Sequence, residues 1–187
     1  AGQARMGKDT AGDILADLYH LPRLAFATPV KSLLSELFQV SLPFIEEWKV
    51  IDAHPPNFNV TMRQALQTVG DGMRSIRATV WIDQMLRVHD SGIFCDVRYV
   101  NEARAIRSRG GRVLLLGRTA FVSDDPNASE RTLRDLIKWF LDNTEDACVD
   151  ISKLAQAPTM ATDFDYFVRN DGTIQELRET LATKCFQ

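Results

Sequence analysis

Apolar residues recur at helical spacing along much of this chain, and short apolar runs separate the helical stretches. Between about residues 8 and 20, Ile14, Leu15 and Leu18 form one stripe. Residues 21–27, around Pro22, suit a short strand. Pro29 stands where a helix can start, and Val30, Leu33, Leu34, Leu37 and Phe38 follow at helical spacing. Residues 41–60 contain Pro43, Pro55 and Pro56 and read as irregular, with a helical turn or two over 44–51. Thr61 is a suitable N-cap for a helix carrying Met62, Leu66 and Val69, with an end expected near Gly70 or Gly72. Residues 80–88 are again helical, through Trp81, Ile82, Met85 and Leu86. The apolar run 92–97 contains the acid Asp96. It is followed by a helix over 100–109, a Gly110-Gly111 turn and a strand over 112–116. A long amphipathic helix is expected over 129–141, a brief strand over 166–168, a turn at Asn170-Asp171-Gly172 and a last helix over 173–183. Strands alternating with helices predict an α/β fold with a parallel sheet.

The length of 187 residues suits a single domain with an inserted subdomain. Apolar residues make up 45% of the chain, enough for a sizeable core. The net charge of −3 gives no argument for nucleic-acid binding, although arginines cluster at Arg74 and Arg77 and at Arg104, Arg107, Arg109 and Arg112. Cys95, Cys148 and Cys185 form neither a CxxC pair nor a disulfide framework, which fits a reducing interior and predicts a cytoplasmic protein. His20, His54 and His89 lack metal-ligand spacing. No apolar run reaches membrane-spanning length.

The chemistry concentrates at the start. Gly2 and Gly7 are separated by four residues and Lys8 follows at once, the spacing of a phosphate-binding P-loop. The glycines let backbone N–H groups curl toward phosphate oxygens, and Lys8 brings a charge to the outer phosphates. A helix starting near Asp9 adds donors and a favourable dipole. Where the motif usually carries Ser or Thr for magnesium, this chain has Asp9, then Thr10; a carboxylate can still hold a hydrated magnesium ion. Such a loop normally follows a buried strand, and none precedes Gly2. A sequence trimmed at its N-terminus, folding poorly on its own, is therefore expected.

Asp96 should emerge at the carboxyl edge of the sheet, where magnesium and phosphates meet, with Arg98 two residues on. Arg63 and Gln67 share a helix face, and Arg74 lies on or just after that helix. The arginines suit a phosphate monoester, and Gln67 suits a base edge. Lys31 sits near a helix start, where the dipole disfavours a cation unless an anionic ligand is present. Arg118 ends a strand. Residues 121–134, with Arg131 and Arg134, suit a lid closing over phosphate, and Phe121, Trp139 and Phe140 either stack on a base or simply pack.

Taken together, these phrases resemble the phage-type deoxynucleoside monophosphate kinases of the P-loop kinase superfamily. The resemblance runs through Gly7-Lys8-Asp9-Thr10, Arg63-Gln64-Ala65-Leu66-Gln67-Thr68-Val69-Gly70 with Arg74 and Trp81, and Asp96-Val97-Arg98-Tyr99-Val100-Asn101-Glu102-Ala103. It continues through Gly110-Gly111, Arg118, Ser129-Glu130 and Asn170-Asp171-Gly172-Thr173, in the family's order and over nearly the whole chain. It implies a three-layer α/β/α P-loop fold with a helical monophosphate-binding insertion at about 29–90 and a lid-like region at about 119–164. It implies ATP- and Mg2+-dependent phosphoryl transfer to a deoxynucleoside monophosphate, in a host cytoplasm if the gene is phage-borne, and it leaves a homodimer open. Carried over by position, Gly2, Gly7, Lys8, Asp9, Thr10 and Arg118 would bind ATP, and Asp9 and Asp96 would hold the metal. Lys31, Arg63, Gln67 and Arg74 would bind the monophosphate, and Lys8, Asp96 and Arg98 would be catalytic. Neither nucleic acid nor membrane is an expected partner.

The chain departs from the family at Gly70-Asp71, as though one residue were deleted. The stretch between Glu130 and Asp165 is longer than expected and predicts an insertion or extra helix. Two other readings stay open: a P-loop kinase acting on a phosphomevalonate-like acceptor, and a non-catalytic nucleotide-binding protein of the same fold.

Overall fold

The computed structural model describes residues 1–3, 5–55, 58–121 and 128–185. The chain divides into two compact units, one formed by Ala1–Leu24 with Ser91–Gln187 and the other by Ala25–Asp90.

In the first unit, α1 (Lys8–Tyr19) buries Ala11, Gly12, Ile14 and Leu15. Its short neighbours β1 (Arg23–Leu24) and β2 (Ile93–Phe94) pair in parallel. After α6 (Val100–Ser108), β3 (Leu114–Gly117) is fully buried and pairs in parallel with β5 (Tyr166–Arg169). β4 (Cys148–Asp150) runs antiparallel on the other side of β5. The small sheets are thus mostly parallel rather than wholly so. The expectation of a parallel sheet overlooked β4, because three residues with one fully buried position carry no readable alternation.

The far edge of β3 is also bonded. The Ala1 amino group donates to the Leu114 carbonyl at 2.7 Å, and the Leu116 N–H donates to the Ala1 carbonyl at 3.0 Å. That is the pattern of a parallel strand residue facing Leu115. Ala1 therefore delivers the following glycine loop at an edge of β3.

Helix α7 (Ala128–Asn143) buries Leu133, Leu136, Ile137 and Phe140, with Phe140 stacked on Phe167 of β5 at 4.7 Å. From Leu133 onward it is framework covering the sheet. Residues 122–127 of the expected lid lie outside the described residues. The long stretch after α7 holds β4 and two 3₁₀ turns, Ile151–Lys153 and Thr159–Asp163. It is pinned by a bidentate pair from Arg104 on α6 to the buried Asp163, at 2.7 and 3.0 Å. Helix α8 (Ile174–Thr183) starts with a capping box. Thr173 N–H donates to Glu176 at 2.7 Å, and Glu176 N–H donates to the Thr173 hydroxyl at 3.2 Å. α8 packs against α1.

The second unit is helical: α2 (Thr28–Phe38), α3 (Leu42–Val50), α4 (Met62–Ile76) and α5 (Val80–Val88). Leu34, Ile45, Met62 and Ala65 form its core, with Phe38, Val40, Trp48, Leu66 and Val69 packed around them. α4 starts at Thr61 through a reciprocal capping box with Gln64. The helix expected to stop near Gly70 or Gly72 instead runs on to Ile76. Each glycine costs a helix only about 1 kcal/mol, which packing can outweigh. Gly70 is buried, and the Trp81 indole on α5 donates to its carbonyl at 3.1 Å. No helix is long and apolar enough to cross a membrane among the described residues.

Candidate active site

The glycine loop is shaped by its neighbours. Gly2 has φ 146°, and a Cβ there would lie 3.0 Å from the Leu116 carbonyl oxygen, so the loop can hug β3 only with glycine at this position. Gly7, at φ 83°, turns the chain into α1 in the left-handed region. A Cβ on Gly7 would meet the Asn170 side-chain nitrogen at 2.3 Å. That nitrogen donates to the Met6 carbonyl at 3.0 Å, and both residues are buried. Asn170 therefore clamps the loop from the end of β5.

Lys8 is the first residue of α1, and its ammonium folds back to the Gln3 carbonyl. The loop, the helix start and the lysine thus lie together, as a cradle for phosphate requires. Thr10 lies in the first turn of α1. Lys8, Cys95, Asp96 and Glu102 all act electrostatically on the buried Ala1 amino group. Lys8 and Asp96 are therefore gathered about the same point.

Asp9 is already engaged by an arginine. Arg23 of β1 binds Asp9 and Asp13 of α1, each at 2.7 Å, and its Nε donates to Cys95 Sγ at 3.3 Å. Burial pushes the Cys95 thiol up, against the pull of Arg23. Asp9 remains largely exposed, so any metal at its carboxylate would share it with Arg23.

Asp96 lies two residues beyond β2 and is half-buried. The backbone after it is held by Glu102, which is only 3% exposed. One Glu102 oxygen accepts from the Arg98 N–H at 2.7 Å and from the Tyr99 N–H at 3.0 Å. Those bonds fix the start of α6 and leave the Arg98 side chain exposed.

Arg118 leaves β3, half-buried, and leads into a 3₁₀ turn at Thr119–Phe121. Asp171 docks that turn, accepting from the Thr119 N–H and hydroxyl at 2.7 Å each. Burial works against the Asp171 charge, but the Thr119 bonds and Arg169 hold its carboxyl below the usual range. An open cleft runs from Arg169, Asn170, Asp171 and Gly172 along the length of α8 to Lys184. Arg131 is exposed, and Arg134 pairs with Asp135 at 3.4 Å.

The remaining expected residues belong to the helical unit. Arg63, Gln67 and Arg74 occupy positions i, i+4 and i+11 of α4, which fall on one face. Arg63 and Gln67 are exposed, and Arg63 donates to the Lys49 carbonyl at 3.3 Å. Arg74 pairs with Asp71 at 3.1 Å. Lys31 on α2 forms an ion pair with Glu46 of α3. Burial raises the Glu46 carboxyl, but Lys31 and Lys49 outweigh it and hold the carboxyl below its ordinary value. An intramolecular partner for Lys31 thus answers the helix-start misfit seen in the sequence.

Sequence reasoning assigned no role to Arg23, Glu102 or Asn170. Glu102 and Asn170 stood inside recognised phrases, so the phrases were their signal. Arg23 lies 14 residues from Asp9 and carried none.

No protein-family model matches the chain. A protein of Acanthamoeba polyphaga mimivirus named "Putative deoxynucleotide monophosphate kinase" is 31% identical over 150 residues, covering 70% of this chain and 78% of the viral protein. The chain belongs to the kinase family of that viral protein.

Proposed function

We propose that this kinase is a phage-type P-loop enzyme that transfers the terminal phosphoryl group of ATP to a deoxynucleoside monophosphate, with Mg2+. The observation that carries the reading is the Gly2–Gly7 loop feeding α1 with Lys8 at its first position, in a chain related to a nucleotide kinase by name.

On this reading, the loop N–H groups and the α1 dipole bind the ATP phosphates. Lys8 leaves the Gln3 carbonyl and follows the charge that develops on the transferring group. Arg118 binds on the ATP side. Lys31, Arg63 and Arg74 bind the acceptor phosphate, and Gln67 reads its base. Arg98 neutralises the transferring phosphoryl group. The chemistry asks little acid–base work of the protein; positioning, charge neutralisation and exclusion of water suffice.

The donor set fits magnesium. Asp9, Thr10 and Asp96 offer hard oxygen donors. No group of three or more His, Cys, Asp or Glu able to hold a metal occurs among the described residues. Magnesium commonly keeps several waters and binds through one or two carboxylates plus substrate phosphates. When bound, it would neutralise charge between the outer phosphates, with Asp96 and Asp9 holding its hydration shell.

The test is a coupled ADP-release assay with ATP and Mg2+, using each deoxynucleoside monophosphate, each ribonucleoside monophosphate and phosphomevalonate as acceptor. ADP release that depends on a deoxynucleotide is expected. Release with phosphomevalonate alone would move the acceptor to another class. A flat response to every acceptor, with ATP bound, would make the protein a non-catalytic nucleotide binder. Lys8→Ala should lower kcat by at least about 100-fold while leaving the thermal midpoint nearly unchanged. Unaltered turnover in that variant would reject the assigned loop.

A further inference from the structure

Two cysteines outside the kinase site lie side by side. Cys148 opens β4, opposite Val168 of β5, and Cys185 follows the last turn of α8. They are 37 residues apart in the chain, yet their sulfurs lie 2.8 Å apart, and both are free thiols. An S–S bond is about 2.05 Å long, so bonding requires the sulfurs to close by only about 0.8 Å. Cys95, in contrast, is buried with its sulfur held by Arg23.

We propose that Cys148 and Cys185 form a peroxide-responsive dithiol site that closes to an intramolecular disulfide and ties the end of α8 to β4.

The surroundings divide the roles. Cys148 is half-buried and meets a small oxidant first, whereas Cys185 is only 2% exposed. The Cys185 hydrogen bond, and then Lys184, hold the Cys148 thiol below its ordinary value against the effect of burial. The same bond, burial and the nearby Cys148 charge push Cys185 up. Cys148 is thus the attacking thiolate and Cys185 the resolving thiol.

The Cys148 sulfur attacks one oxygen of hydrogen peroxide, the O–O bond breaks, and a sulfenic acid forms as hydroxide leaves and is protonated to water. The Cys185 sulfur then attacks the sulfenic sulfur. The S–O bond breaks, and the departing hydroxide leaves as water with the Cys185 proton. The two thiols lose two electrons and two protons in all, and peroxide is reduced to two waters.

The test treats the purified full chain with a small excess of hydrogen peroxide and counts free thiols after denaturation. The count should fall from three to one, since the chain has three cysteines, and dithiothreitol should restore it. Alkylation and non-reducing digestion should yield one cross-linked peptide pair joining Cys148 to Cys185, about 2 Da lighter than the two free peptides together. Cys148→Ser and Cys185→Ser should each abolish the cross-link. If either variant fails to fold, the wild-type peptide map decides alone. A count that stays at three, a bridge between chains, or sulfinic acid without a cross-link would each overturn the proposal.

Discussion

Asn170 shows how one side chain can decide whether a glycine loop keeps its shape. It is 9% exposed, donates to the Met6 carbonyl at 3.0 Å, and fills the space a Cβ on Gly7 would need. Asn170→Ala removes the donor and leaves a buried carbonyl unpaired, at a cost of about 1–3 kcal/mol. Because the lost bond ends on the loop, ATP affinity should fall more than acceptor affinity; equal loss of both in titration calorimetry would contradict this. The neighbouring Asp171 supports the Thr119 turn only while ionised. Its carboxyl is depressed in the folded state, so its contribution is fully present above the unfolded value of about 3.9 and is lost as pH falls through the lower folded value. Asp171→Asn should therefore be less stable than wild type at neutral pH, by about 1 kcal/mol or less for so exposed a group. In urea melts the gap should narrow below about pH 4. A constant gap from pH 7 to pH 3 would show that the charge is not the cause.

Among the elements, α6 depends most visibly on a single acid. Glu102 is buried in its first turn and accepts two backbone N–H groups from the chain just after Asp96. Truncation strands both donors, and Glu102→Ala should cost about 2–3 kcal/mol, in the range for hydrogen bonds to a charged group. Glu102→Gln retains one acceptor oxygen and should recover part of that loss. If the bonds also position Arg98, Glu102→Ala lowers kcat more than it raises KM for ATP. A change in stability with unaltered kinetics would confine Glu102 to the framework. The helices were the most legible elements, because α2, α4 and α8 each carry an apolar stripe together with a proline or a Thr61- or Thr173-type cap, and α5 carries the stripe alone. The strands were less so. β1 and β2 have two residues each, too few for a period, and β4 is set by its pairing with β5 rather than by its own sequence.

At the scale of the whole chain, the glycine turn into α1 could be read in the sequence, because it is built from neighbouring residues. The long-range contacts could not: Arg23 to Asp9, Asn170 to Met6 and Arg104 to Asp163 join residues 14, 164 and 59 positions apart. The same long-range organisation gives residues 25–90 a core of their own around Leu34, Ile45, Met62 and Ala65. Leu34 is 1% exposed there, and Leu34→Ala should cost about 2–5 kcal/mol by opening a cavity among α2, α3 and α4. A unit with its own core can open below the global unfolding free energy. Backbone amides in α2 to α5 should therefore exchange with deuterium faster in the variant, while those in β3 and β5, where Leu115 and Phe167 are fully buried, keep their wild-type protection. Since the proposed acceptor residues Lys31, Arg63, Gln67 and Arg74 all ride on α2 and α4, the KM for the monophosphate should rise well before the KM for ATP. Uniformly faster exchange in both units, with the two KM values rising together, would show that the chain opens as one cooperative body and that the acceptor residues owe no separate stability to this core.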